Sequence, residues 1–396
     1  MLLSLALIIM LSLLLVSIFQ KLKIPGIVAM IFTGMILGPY ALDLISPDIL
    51  TIAPDLKQIA FVVILLRAGL TVDIKDLKKV GRPAILLSFL PSVIEIIAIA
   101  LIAPLFFDIS LLESFILGSV VAAVSPAVVV PRMISLIENK QGTEKSIPQM
   151  ILAGSSIDGI FVIIVFSSLM QIYQSGSYSW IGFIQLPIAI IFGLIAGILI
   201  GIFLSFIFKK IHMRDTLKVL IIFSFSFFVI YLENLLKPYV PFSSLLAVMA
   251  IGGTILKSYP ILANRLTFKF SKIWVGAEIM LFVLVGAIVD VSILKNVGFT
   301  ALIVIICALI FRMLATFLST ANTHLNTKER LFTAFSYTPK ATVQAAIGAI
   351  PLSLGVTSGN LILTIAVLAI IITAPLGAFL IDYFASRFLT VSSDIQ

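Results

Sequence analysis

AFSYTPKATVQAAIG, residues Ala334–Gly348, sets a Thr338-Pro339 step and a lysine, Lys340, in the middle of an apolar segment. Proline removes a backbone donor and its ring clashes with the preceding turn, so a helix through this stretch is expected to break. A second stretch, SVVAAVSPAVVVPRM (Ser119–Met133), does the same with Ser125-Pro126, and Pro131 follows. At membrane depth, non-helical backbone is tolerated only where it is buried in protein or lines a wet cavity. Two such breaks in equivalent places therefore point to a binding site between them.

Composition puts both stretches in a membrane. The chain has 396 residues, 61% hydrophobic and only 11% charged, with a mean hydropathy of +1.24. A soluble domain carries roughly a quarter charged residues. Thirteen apolar spans are expected, at about 2–19, 26–44, 57–72, 83–107, 111–134, 148–173, 180–208, 216–235, 240–257, 272–291, 298–320, 329–356 and 360–385. The first lacks a basic leader and a small-residue cleavage site, so it reads as a span rather than a signal peptide. The whole chain, 1–396, reads as one membrane transporter domain.

The net charge of +8 follows topology rather than a polyanionic partner. With the connections numbered in order and the C-terminal tail among the odd ones, the odd set carries 20 of the 26 lysines and arginines. The even set carries only Lys57, Lys237 and Lys295. By the positive-inside rule the odd connections and the C-terminus are cytoplasmic and the N-terminus is outside. No nucleic-acid or nucleotide partner is indicated.

An internal repeat underlies the two breaks. Gly69-Leu-Thr-Val-Asp73 through Gly81 resembles Gly286-Ala-Ile-Val-Asp290 through Gly298, with Asp73/Asp290 and Lys78/Lys295 coinciding at a constant offset. The shift is seven spans, an odd number, so the copies face opposite sides of the membrane. Inverted repeats over helices 1–6 and 8–13, with the site near the midplane, are a transporter signature. The same offset sets Glu95 opposite Arg312, a pair of mid-span charges expected to bridge and to tie two helices together.

AGSSIDGIFVIIVF (Ala153–Phe166) holds the remaining midplane carboxylate, Asp158, with Gly159 behind it. Asp158 lies about ten residues into its span, or ~15 Å at 1.5 Å per residue, the depth of the bilayer centre. Such a charge costs about 2.5–3.5 kcal/mol even on lenient scales and needs a partner. Lys340 is the basic side chain expected at that depth beside a broken helix. A permanent Asp158–Lys340 bridge would only staple the repeats. A bridge opened by a cation would free a buried lysine to lose its proton, linking cation binding to proton release. Ser125, Thr338 and Thr342 offer hydroxyl oxygens to a small hard cation, and Ser155, near Asp158, completes the candidate set. Arg67 is explained by snorkelling to the cytoplasmic side. Glu278 either faces an inner vestibule or pairs with a basic neighbour.

These residues resemble the monovalent cation:proton antiporter superfamily, in particular the bacterial Na+/H+ antiporters of NapA type and their NHA relatives. The resemblance rests on TPKATVQAAIG (Thr338–Gly348), LRAGLTVDIKDLKKVG (Leu66–Gly81), AEIMLFVLVGAIVD (Ala277–Asp290) and VSPAVVVP (Val124–Pro131), and it covers nearly the whole chain. It implies an all-α NhaA-like antiporter fold of about thirteen transmembrane helices with two crossed discontinuous ones. It also implies a core at about 57–173 and 272–356, scaffold or dimerisation helices at about 1–44 and 180–257, and a homodimer whose core moves as an elevator.

Carried over by position, Lys340 matches the core lysine, Glu95 and Arg312 the stabilising ion pair, and Pro126 and Pro339 the breaks. Asp158 matches the first aspartate of a paired Asp-Asp motif, whose second position here is Gly159. A second alignment equates Asp158 with the single aspartate of Asn-Asp members. Either Asp158 serves alone, binding Na+ or Li+ as the only midplane carrier and giving electroneutral exchange with H+, or that exchange is lost. The alternatives are another substrate (K+/H+ antiport or sodium-coupled organic anion transport) and a non-transporting homologue or sensor. The location implied is a prokaryotic inner membrane.

Other chemistry is not indicated. His212 and His324 lie in loops without cysteine or carboxylate company at ligand spacing. No glycine-rich phosphate loop is present, and no cofactor or enzyme activity is expected. No nucleotide-binding domain is expected after the last span, unlike potassium-efflux relatives. The single cysteine, Cys307, reads as packing.

Overall fold

The computed structural model describes residues 1–22, 24–71, 81–175, 180–236 and 242–391. Among the described residues the chain is helical, with one isolated antiparallel bridge between Gln141 and Val391. In order the helices are α1 (Leu2–Lys21), α2 (Gly26–Leu37), α3 (Pro47–Thr71), α4 (Arg82–Leu87), α5 (Leu90–Ile102), α6 (Leu111–Val121), α7 (Pro126–Glu138), α8 (Ile147–Ser175) and α9 (Trp180–Lys210). There follow α10 (Asp215–Leu236), α11 (Ser244–Ser258), α12 (Pro260–Ala287), α13 (Val291–Ser319), α14 (Thr327–Ser336), α15 (Thr342–Ile347), α16 (Ile350–Ser353) and α17 (Gly359–Phe388).

Among the described residues, ten helical segments are long and apolar enough to cross a membrane. The expected spans near 26–44, 240–257 and 329–356 hold shorter apolar helices, Gly26–Leu37, Ser244–Ser258 and Thr342–Ser353.

Both expected breaks are present. α6 stops at Val121 and α7 starts at Pro126, where a missing N–H costs nothing because the first turn has no acceptor for it. α14 stops at Ser336 and α15 starts at Thr342. The two gaps meet: the Ser125 N–H donates to the Pro339 carbonyl at 2.8 Å. Of the repeated turn, residues 72–80 lie outside the described residues. Its second copy caps α13, since the Asp290 carboxylate accepts from the Ser292 N–H at 2.8 Å and the Ser292 hydroxyl at 2.6 Å. Those bonds hold the Asp290 carboxyl below the usual carboxylate range.

The chain forms two compact units. One comprises Met1–Thr51, Lys75–Met170 and Phe282–Gln396, the other Ile52–Ile74 and Gln171–Leu281. In the first, α5 packs on α6 and α13, and α17 on α13, α14 and α6. Its first helix is apolar outside and polar inside. Ser4, Ile8 and Ser12 are buried at four-residue spacing, while Met10, Leu13 and Leu14 are exposed. The Ser4 hydroxyl donates to the Leu44 carbonyl at 3.1 Å and accepts from the Ser46 N–H at 3.0 Å. In lipid, helices gain little from burying apolar surface, so small residues and hydrogen bonds make the contacts.

The second unit uses the same physics with glycine. Gly193, Gly197 and Gly201 form a stripe on α9 against α11. A Cβ at Gly197 would collide with the Ala247 carbonyl oxygen, and one at Gly193 with that of Ser243. The backbones touch, which only glycine permits. Gly276, in contrast, has open space around its missing Cβ. Gly197→Val is therefore expected to lower the thermal unfolding midpoint in detergent clearly, whereas Gly276→Ala leaves it unchanged or raises it slightly. Equal midpoints for the two variants would refute the seam.

Candidate functional site

The interrupted backbone exposes peptide groups that lipid cannot satisfy, and a set of buried side chains in the first unit meets them. Arg312 on α13 is the hub and is fully buried. Its Nη1 lies 2.7 Å from Glu95 Oε2 on α5, its Nη2 2.9 Å from Asp158 Oδ2 on α8, and its Nε donates to the Tyr337 carbonyl at 2.6 Å. Nη1 also donates to the Ala122 carbonyl and to the Ser92 hydroxyl, the latter at 3.2 Å. Tyr337 ends α14 and Ala122 ends α6, so the guanidinium sits at the negative ends of both half-helices.

Lys340, between α14 and α15, is equally buried. Its Nζ lies 2.6 Å from both Glu95 oxygens and 3.2 Å from the Ala122 carbonyl, and its backbone N–H donates to the Thr373 hydroxyl at 2.9 Å. Asp158 accepts from the Val124 N–H at 2.8 Å, from the Ser92 hydroxyl and from Arg312. Two cations thus face two carboxylates and the cluster is neutral. That balance is what permits four charges away from water.

The expected direct bridge between Asp158 and Lys340 is not the arrangement found. Lys340 is bound to Glu95, and Arg312 takes Asp158. The guanidinium offers five donors in a planar fork and serves two carboxylates and two carbonyls at once, whereas the ammonium is a compact point charge. The Glu95–Arg312 pair is present, but as the middle of a chain running Lys340–Glu95–Arg312–Asp158.

The hydroxyl candidates divide. Thr338 Oγ1 donates to the Phe335 carbonyl at 2.8 Å and Ser155 Oγ to the Leu152 carbonyl at 3.2 Å, each within its own turn. Ser125 Oγ and Thr342 Oγ1 are buried without a protein partner among the described residues. A Cβ at Gly159 would meet only Val343 Cγ2, at 3.3 Å. Glu278 and Arg67 both belong to the second unit, apart from the first-unit residues that make up this cluster. Among the described residues no group of three or more His, Cys, Asp or Glu could hold a metal ion.

Sequence reasoning missed three contributors. Ser92 lies one turn before Glu95 on the same helix face, a spacing that could have drawn attention to it. Gln344 lies inside the opening stretch and donates from Nε2 to the carbonyls of Val121 and Ala123, at 2.9 and 2.7 Å. Thr373 on α17 had no local signal.

Broken backbone within long apolar helices, closed by protein charges rather than by helix, defines a class: multi-pass membrane transporters. A family profile described as sodium/hydrogen exchanger, transmembrane, matches residues 7–385, and the chain belongs to that family, whose members are transporters rather than enzymes. The sodium/hydrogen exchangers 9B2 of Mus musculus and Homo sapiens are each 32% identical to it, over 365 and 354 residues. Those alignments cover 85% of this chain but 63% and 64% of the relatives, so the chain spans under two thirds of their length. The sodium proton antiporter MjNhaP1 from Methanocaldococcus jannaschii at pH 8 matches in fold, with a TM-score of 0.85 over 97% of both chains at 22% identity.

Removing one member should strand the others. Glu95→Ala leaves two buried cations facing one carboxylate, an expected loss of about 3–5 kcal/mol. Arg312→Lys keeps the charge but cannot span Glu95, Asp158 and Tyr337 together. Both variants should unfold at markedly lower temperature in detergent than the wild type. A wild-type midpoint for Glu95→Ala would show that the cluster contributes no stability.

Proposed function

We propose that this protein exchanges Na+ or Li+ for H+ across a membrane by elevator-type alternating access, with Asp158 as its only midplane carrier carboxylate. The observation that carries the proposal is the neutral four-charge cluster at the crossing of two broken helices. Adding a cation at Asp158 would leave one uncompensated charge in a low-dielectric site. Arginine keeps its proton, so Lys340 is the cluster member able to release one and restore neutrality. One cation then replaces one proton, and exchange is electroneutral. Ser125 and Thr342, with hydroxyls lacking protein partners, are the neutral oxygens to complete the cation's shell; Ser155 and Thr338 retain lone pairs for the same purpose.

The same proposal includes thirteen crossings, an outside N-terminus, a cytoplasmic C-terminus and a homodimer in a prokaryotic inner membrane. The core at about 57–173 and 272–356 would move against scaffold helices at about 1–44 and 180–257. The charge bias of the connections supports the orientation.

A second reading has its own support. Asp158, held by Arg312, Ser92 and the Val124 amide, is bound as a purely structural staple would be. Under that reading the chain is a non-transporting homologue or sensor, and Asp158→Asn changes thermal stability with no flux to lose.

Reconstitution into liposomes with a trapped pH dye separates these readings. Exchange with Na+ or Li+ is expected, and Asp158→Asn should abolish it. Silence with Na+, Li+ and K+ in both gradient directions would overturn the proposal, and a response to K+ alone would change the substrate. Clamping the membrane potential should leave the wild-type rate unchanged. Gly159→Ala should retain exchange, because the added Cβ asks only a few tenths of an ångström of Val343. Gly159→Asp adds a second buried negative charge and should make the rate depend on membrane potential.

A further inference from the structure

The linker between α6 and α7 contains one peptide group held from both edges. The Ala123 carbonyl accepts from Gln344 Nε2 at 2.7 Å, and the Val124 N–H donates to Asp158 Oδ2 at 2.8 Å. These two groups belong to the same peptide plane, which is rigid, so fixing its oxygen also fixes the direction of its hydrogen. Gln344 further donates to the Val121 carbonyl at 2.9 Å and is itself fully buried. One side chain from the second repeat therefore clamps unwound backbone in the first, and the clamped backbone holds Asp158.

We propose that Gln344 is a positioning residue for the cation step. It touches neither Asp158 nor, by this account, the ion. It acts through the Ala123–Val124 peptide, setting the direction in which Val124 presents its N–H and so the pose in which Asp158 waits for the cation. Donation to the carbonyl also polarises the peptide and strengthens its N–H as a donor, as in any hydrogen-bonded chain. Losing the clamp lets the plane swing, and Asp158 then pays the ordering cost when the ion arrives. Loading suffers while the motion that follows loading does not.

Two variants test this in the full-length protein. Gln344→Met keeps length and bulk without an N–H donor, and Gln344→Glu keeps the shape with a carboxylate in place of the amide. Ser114→Ala serves as control, because it deletes a buried bond on α6, from Ser114 Oγ to the Ser110 carbonyl at 2.9 Å, away from the crossing. Hydrogen–deuterium exchange read by mass spectrometry should show the Val124 amide exchanging about fivefold faster in both Gln344 variants, the size expected for one lost hydrogen bond. Amides of α8 should keep wild-type protection. In liposomes the KM for Na+ should rise about fivefold while the maximal rate stays within about twofold of wild type.

An unchanged Val124 amide, or an unchanged KM, overturns the inference. So does a joint fall of maximal rate and of protection throughout the core, which would make Gln344 structural only. The transport arm rests on the exchange activity proposed above. If the wild type carries no cation, that proposal fails, and the amide measurement by itself decides for or against Gln344.

Discussion

Arg312 holds three structures that would otherwise come apart: the Glu95 carboxylate on α5, the Asp158 carboxylate on α8, and the carbonyls of Ala122 and Tyr337 where two half-helices stop. A broken helix in a membrane leaves peptide groups with no water to turn to, each costing several kcal/mol. Here cations meet the carbonyl ends, and their own charge is then met by carboxylates. The breaks require the charges, and the charges are tolerable only because they sum to zero. That mutual dependence is why the cluster lies at the crossing and nowhere else along the spans.

Neutrality also constrains what the cluster can do. Asp158 is shared between a guanidinium, a hydroxyl and a peptide N–H, whereas Lys340 leans on Glu95. The two cations differ in kind: one is fixed in charge and multiply bonded, the other is a titratable ammonium. Under the exchange proposed above, that difference would set the stoichiometry.

Away from the crossing, the same solvent imposes a different economy. α1 turns serines inward and leucines outward, and α9 meets α11 along glycines. Both follow from a medium as apolar as the side chains it surrounds, where close approach and hydrogen bonds replace hydrophobic burial as the source of association.

Much of this was legible in the residues. Pro126 and Pro339 marked the breaks in the sequence, although proline alone does not end a helix here, since α3, α7 and α17 run on through Pro54, Pro131 and Pro375. The apolar spans, the charge bias of the connections and the offset relating Glu95 to Arg312 likewise depend only on sequence. The partners of the buried charges do not. Lys340 was expected on Asp158 because both lie at one depth, yet depth leaves two lateral directions free. Which carboxylate meets which cation is settled by where α5 passes between them and by how many acceptors one guanidinium can reach. Thr373 was invisible, and Ser92 and Gln344 only faintly marked, because an uncharged side chain in an apolar span carries little signal until the backbone it touches is known. The sequence by itself determined that this chain breaks two helices in a membrane around a few buried charges. Only the tertiary structure decided how those charges pair, because pairing depends on distances between segments far apart in the chain.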